Sequence, residues 1–263
     1  MTSTVTSADG TSIAYTATGD GPAVIVVDGA LCHRSFGPSG GIAEQLAPEF
    51  TVYTYDRRGR GESGDADTYA PEREVEDLAA LIQAAGGQAR VVGFSSGGAL
   101  ALRATAAGIG VTKAAVYEVP YVTQDWHREM SLKYTAELHQ ALDEGRLDDM
   151  PALFMSLVGM PDEQVAGMRQ SPVWPMFTAV AKSLTYDNAV LGYPGGGAVP
   201  TALLATITVP VLAMDGGASP DLLRDPAAGI AEACPDAERQ TLPGQTHEVS
   251  PEAICPVLAK FFA

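Results

Sequence analysis

The stretch "ARVVGFSSGGALALRATAAG", Ala89 to Gly108, decides the fold. Its first six residues are an apolar run of strand type, and its second half is an Ala/Leu-rich run of helix type. Between them stand Gly93, Phe94, Ser95, Ser96 and Gly97, a G-x-S-x-G pattern. A serine on so tight a strand-to-helix turn is held in a strained conformation with its hydroxyl exposed. Only glycines two residues to either side let neighbouring backbone come that close. The helix that follows points its first N–H groups and its positive dipole end at the same spot. Ser95 is therefore a candidate nucleophile, and the glycine register selects it over Ser96.

Working outward, the same alternation recurs. "TVTSADGTSIAYTATGDG" reads as two short strands around Asp9-Gly10, and "AVIVVDG" as a strand buried on both faces. Thr51 to Tyr55 is a further strand, and "PEREVEDLAALIQAAGG" an amphipathic helix opened by Pro71 and ended by Gly86-Gly87. "VTKAAVYEVP" is a strand stopped by Pro120. Strands alternating with helices indicate a mainly parallel sheet. From about Tyr121 to Ala205 the pattern turns helical, with a glycine-rich connector at Tyr193 to Pro200. The alternation resumes with "ITVPVLAMDG", a helix over about Pro220 to Ala233, "AERQTLPG" and a last helix, "SPEAICPVLAKFFA". The expected organisation is one α/β core, residues 1–120 and 205–263, carrying a helical cap at 121–204.

The chain has 263 residues, enough for a sizeable core, with 46% hydrophobic and 18% charged residues and a formal net charge of −16. So acidic a surface argues against non-specific nucleic-acid binding and against adhesion to anionic membranes. Three cysteines, Cys32, Cys234 and Cys255, form no CxxC and suit a reduced, cytosolic protein better than a disulfide framework or a zinc site. The first residues do not have the pattern of a signal peptide, and no apolar run is long enough to suggest a membrane span.

Four histidines compete for the role of general base. His127 and His139 fall in expected cap helices. His33 follows Cys32, but neighbours in sequence rarely face each other. His247 lies in "LPGQTHEVSPEAI", a loop before the last helix, from which it can swing over a nucleophile at the rim of a parallel sheet.

These residues resemble the α/β-hydrolase fold over nearly the whole chain. The motifs that carry the likeness are "VVDGA" after the third strand, "YDRRGRGESG" after the fourth, "GFSSG" at the turn and "GQTH" before the last helix. The resemblance implies an eight-stranded sheet flanked by helices, with a cap after the sixth strand. It also implies an oxyanion hole from the backbone N–H groups of Ser96 and Ala30. Asp28-Gly29 stands where the family usually has His-Gly, which brings an unexpected carboxylate near the site. Asp56, Arg58, Gly59 and Gly61 read as braces of a turn.

The family usually places its acid three residues after the glycine that ends the seventh strand, and that position is Ser219. A serine does not stabilise an imidazolium as a carboxylate does. Glu118, at the end of the strand after the nucleophile's helix, should emerge beside Ser95 with the reach to meet His247. Some members that resemble the haloalkane dehalogenases take their acid from this strand end. Asp215 and Asp221 remain alternatives, as does a site with no acid, and pairing with an arginine such as Arg57 or Arg58, or lining the substrate pocket, is the alternative for Glu118.

The reading is a cofactor-independent, metal-free serine esterase acting on a small to medium hydrophobic substrate. Leu31, Phe94, Phe154, Trp174 and Phe177, with Met155, Met160 and Met176, are candidates for the apolar lining. The sequence leaves open a ligand-binding protein on the same scaffold, or lyase, acyl-transfer or perhydrolase chemistry in the same pocket. It does not fix the oligomeric state.

Overall fold

The computed structural model describes residues 1–193 and 196–263. Pro194 and Gly195, within the expected connector, lie outside the described residues. In chain order the elements are β1 (Ser3–Thr6), β2 (Ser12–Thr18), β3 (Ala23–Val27), α1 (Ser39–Leu46), β4 (Thr51–Tyr55), α2 (Pro71–Ala84), β5 (Ala89–Phe94), α3 (Ser96–Ala106) and β6 (Val111–Tyr117). A helical stretch follows: α4 (Asp125–Asp143), α5 (Met150–Leu157), α6 (Asp162–Arg169), α7 (Trp174–Ala179), a 3₁₀ turn (Ala181–Ser183), α8 (Leu184–Val190) and α9 (Thr201–Leu204). The chain closes with β7 (Val211–Gly216), α10 (Asp221–Ala233), β8 (Ala237–Leu242) and α11 (Pro251–Phe262).

The strands form one eight-stranded sheet in the order β1-β2-β4-β3-β5-β6-β7-β8. β2 runs antiparallel to both of its neighbours, and every other pairing is parallel. Side chains alternate across a strand, so the buried runs of β3, β5, β6 and β7 feed two apolar layers. Val27, Val91, Val116 and Ala213 face α2, α3 and α10, while Val26, Val92, Tyr117 and Met214 face α1 and α11. Helices on both faces explain why these strands read as continuous apolar runs.

The sequence gives no hint of α1. Gly40 and Gly41 lower its helix propensity, and Ile42, Ala43 and Leu46 fix it by burial against the sheet. In the helical stretch, Tyr134, Leu138, Met155, Trp174 and Phe177 form a cluster of their own together with Leu31. The two ends of that stretch do not share it: Tyr121, Val122, Val190 and Leu204 pack into the core beside α3 and α10. No described helix is long and apolar enough to cross a membrane.

Candidate active site

Parallel strands bring their carboxyl ends to one edge, where open α/β sheets present their loops. Three of those ends are strained. Leu31 (φ 60°), Ser95 (φ 53°) and Glu118 (φ 45°) are the three non-glycine residues with positive φ among the described residues, and they follow β3, β5 and β6. L residues adopt this region at a cost of about 1–3 kcal/mol each, and such outliers gather at functional sites.

Ser95 occupies the turn between β5 and α3 at φ 53°, ψ −127°. Its N–H donates to Tyr117 O at 2.9 Å, extending the β5–β6 ladder by one step. A Cβ on Gly97 would run into the carbonyl oxygens of Val27 and Asp28, and one on Gly98 would sit 2.6 Å from a methyl of Val119. The glycines thus let α3 start hard against the sheet, and Ser95 is left half-buried at the edge.

Glu118 extends the ladder in the same way, its N–H donating to Met214 O at 3.0 Å. Its side chain is fully buried. Oε1 accepts the Gly216 N–H at 2.7 Å, and Oε2 lies 2.8 Å from His247 Nδ1. The tautomer with its proton on Nδ1 donates to this carboxylate and leaves Nε2 to receive another proton. The loop of His247 is fixed by Tyr117, whose hydroxyl donates to Thr246 O at 2.5 Å, and by Ala218 N–H, which donates to Gln245 O at 2.9 Å. Among the described residues no hydrogen bond joins Ser95 to His247, whose side chain is 42% exposed.

The competing acids are engaged elsewhere. Asp215 accepts from Arg239 at 2.8 Å and Thr241 at 2.9 Å and lies 3.4 Å from Arg224. Asp221 is exposed, and Ser219 is a buried turn residue whose N–H donates to Gly216 O at 3.1 Å. Glu118 pairs with neither arginine considered for it: Arg57 holds Glu74 and Asp187, and Arg58 holds Asp77 and Asp9.

Gly29 lies directly over Ser95, since a Cβ there would be 3.0 Å from Ser95 Cβ. The N–H groups of Ala30 and Ser96 make no hydrogen bond among the described residues and so are free to serve an anion. The carboxyl of Asp28 is buried and among the described residues makes no hydrogen bond, and burial pushes it up to about 7, against the weaker pull of the nearby Ser39, Arg60 and Arg57. Burial, with Asp28 nearby, also pushes the Cys32 thiol up to about 12, which rules it out as a thiolate nucleophile near neutral pH.

Leu31, Phe154, Trp174 and Phe177 meet in the cluster of the helical stretch, and Ala30 packs against it. Phe36 adds an edge-on contact with Phe177, ring centres 5.5 Å apart. Phe94 corrects its expectation. It points the same way as Val92, into the layer beneath the sheet with Tyr117 and Met214, and does not join that lining. Of the remaining histidines, His127 is buried and His139 is exposed beside a cavity of about 350 Å³ shared with Tyr69, Lys182 and Tyr186. Another cavity of about 430 Å³ is lined by Thr16, Arg34, Thr54 and Glu62, and neither touches Ser95, Glu118 or His247. Among the described residues no group of three or more His, Cys, Asp or Glu is placed to hold a metal ion.

Two participants went unnoticed in the sequence. Gly216 supplies the second hold on Glu118, and Asp187, on α8, accepts the Ser96 hydroxyl at 2.7 Å. Gly216 was legible as the end of a strand; Asp187 carries no local signal.

Residues 24–256 match the model of the Alpha/beta hydrolase family. A solved alpha/beta hydrolase from Sphaerobacter thermophilus is 48% identical over 99% of this chain and 100% of its own, with a TM-score of 0.88. A thermophilic esterase from Thermogutta terrifontis is 19% identical over 100% of this chain and 98% of its own (TM-score 0.71). An epoxide hydrolase from metagenomes of hot environments is 20% identical over 100% and 98% (TM-score 0.74). The last two share the fold alone, and their different reactions leave the chemistry to the residues at the site. No curated protein matches the chain.

Proposed function

This chain belongs to the alpha/beta hydrolase family, and from that premise we propose that it is a serine hydrolase cleaving a small to medium, hydrophobic carboxylic ester. The observation that carries the reading is the His247–Glu118 pair at 2.8 Å, on the same sheet edge as a serine strained at φ 53°. Ser95 Oγ attacks the ester carbonyl while His247 Nε2 takes its proton. Glu118 holds the ring in the right tautomer and stabilises the imidazolium that forms. The N–H groups of Ala30 and Ser96 receive the oxyanion, and each such donor is worth about 3–4 kcal/mol in the transition state. The tetrahedral intermediate collapses, and the alcohol departs with the proton from His247. Water then repeats the sequence on the acyl-enzyme, giving the acid and free Ser95.

The helical stretch between β6 and β7 acts as the cap, and its apolar cluster with Leu31 favours an apolar acyl group. No step calls for a cofactor. The partner is a small molecule rather than nucleic acid or a membrane, and three free thiols suit a reducing compartment such as the cytoplasm.

Intact-mass labelling with a small fluorophosphonate tests this, beside hydrolysis of short p-nitrophenyl esters. One adduct on the wild type, absent from Ser95→Ala and His247→Ala of unchanged thermal midpoint, is the expected result. A folded wild type that takes no label and releases no nitrophenol would overturn the reading in favour of a binding protein.

A further inference from the structure

Beside the elbow lies a buried cluster of charge that the reaction above does not use. Arg57 and Arg60 follow β4, and each is 1% exposed. Arg57 grips Glu74 through Nε and Nη2 at 2.7 and 2.8 Å, and reaches Asp187 Oδ1 at 2.7 Å. Arg60 Nη2 meets both oxygens of Asp187, at 2.8 and 2.9 Å. Two arginines thus face two carboxylates, and charge is balanced within the cluster, as burial demands. Burial pushes the Asp187 carboxyl up, but Arg60, Arg57 and the Ser96 hydroxyl outweigh it and hold the group below its ordinary range.

Both arginines also reach the backbone over Ser95, Arg57 through the same Nη1 that meets Asp187. Arg57 Nη1 donates to Asp28 O at 3.2 Å, and Arg60 Nη1 to Gly29 O at 2.5 Å. In a planar trans peptide the carbonyl of one residue and the N–H of the next point in opposite directions. Holding Gly29 O therefore turns the Ala30 N–H away from Arg60. Gly29 itself sits over Ser95, and the next residue but one, Leu31, is strained at φ 60°. A flip of this one peptide would place a carbonyl oxygen where negative charge develops.

We infer that Arg60, held by Asp187 of α8, is a positioning residue that fixes the Gly29–Ala30 peptide so that its N–H faces the oxyanion. The helical stretch then controls the hole as well as covering the pocket. This rests on the serine-hydrolase reading above.

The test compares wild type, Arg60→Lys and Asp187→Asn. Turnover of p-nitrophenyl butyrate is expressed per active site titrated with fluorophosphonate. Inhibition by phenylboronic acid, which adds Ser95 Oγ to boron and mimics the tetrahedral intermediate, is measured alongside. Arg60→Lys keeps the charge but loses the fork. It should lower kcat about 10- to 100-fold, somewhat less than outright loss of a donor. KM should stay within about 3-fold. Boronate affinity should fall by the same factor as kcat, with the pH profile unmoved. Asp187→Asn preserves shape and should act in the same direction by about 3- to 10-fold; it decides the matter if Arg60→Lys does not fold.

A purely structural brace would lower the titrated fraction and leave kcat per site intact. That result, or a loss of kcat without loss of boronate affinity, overturns the inference alone. A wild type with neither turnover nor label overturns the hydrolase reading and this inference with it.

Discussion

Glu118 Oε2 stands 2.8 Å from His247 Nδ1, although 129 positions separate the two residues in the chain. The carboxylate comes from the end of β6, and its other oxygen is held by the N–H of Gly216 at the end of β7. The strand on which this fold usually carries its acid thus supplies a backbone donor to an acid from the neighbouring strand.

Glu118→Gln should keep the shape of this contact and lose its charge. The amide can present N–H to Nδ1, which favours the wrong tautomer and leaves the imidazolium unsupported. We expect kcat to fall about 10³- to 10⁴-fold with the thermal midpoint little changed. A residual kcat above a tenth of wild type would show that another group orients His247.

Asp215→Asn provides the contrast. Asp215 is fully buried and tied to Arg239 and Thr241, and among the described residues no hydrogen bond joins it to His247. Its arginine partners are each about one-third exposed, so water softens their loss of a partner. The expected cost is about 1–3 kcal/mol of stability, with kcat per folded molecule within about 3-fold. Urea titration and active-site-normalised kinetics read the two quantities separately, and a large loss of kcat alone would return Asp215 to the triad.

What the sequence could and could not reveal follows from the range of the interactions. The elbow was legible because its constraint is local: a turn this tight admits only glycine at Gly93 and Gly97. Glu118 was legible as a charge ending an apolar strand, a placement that burial makes costly without a partner. Phe94 could have been placed correctly, since period-two alternation puts it on the face of Val92. Asp187 could not. In "SLTYDNAV" it reads as a polar helix residue, and its partners Arg57 and Arg60 lie more than 120 positions earlier. In the sequence the loop that holds both arginines reads only as a turn braced by Asp56 and Arg58, because the long-range carboxylate of Asp187 is out of sight.

Gly216→Ala tests the support behind the acid. A Cβ there would overlap Gln245 O and come within 2.6 Å of the Tyr117 hydroxyl. Both groups hold the loop of His247, so backbone has to shift. We expect a loss of about 1–3 kcal/mol together with a fall in kcat, because the added methyl pushes on the base as well as on the core. Unchanged kcat in a destabilised variant would show that the loop of His247 yields without moving the ring.

Asp28 ties stability to pH. Its carboxyl is 1% exposed, neither oxygen makes a hydrogen bond among the described residues, and burial raises it from 3.8 to about 7. Between those values the unfolded chain has released this proton and the folded chain keeps it, so the folded state binds more protons. The contribution of Asp28 is therefore fully present below about pH 4, declines as pH rises and is lost by about pH 7. Asparagine at this position imitates the protonated form at every pH. Relative to wild type, Asp28→Asn should gain roughly 2–4 kcal/mol between pH 4 and pH 8. Asp187 and Asp65, both held below their ordinary range, oppose this trend, because their stabilisation is lost in acid. They are common to both proteins and cancel in the difference. Urea unfolding of the pair at pH 4, 6 and 8 gives that difference directly, and two curves that stay parallel across the range would show that Asp28 is ionised in the folded protein throughout.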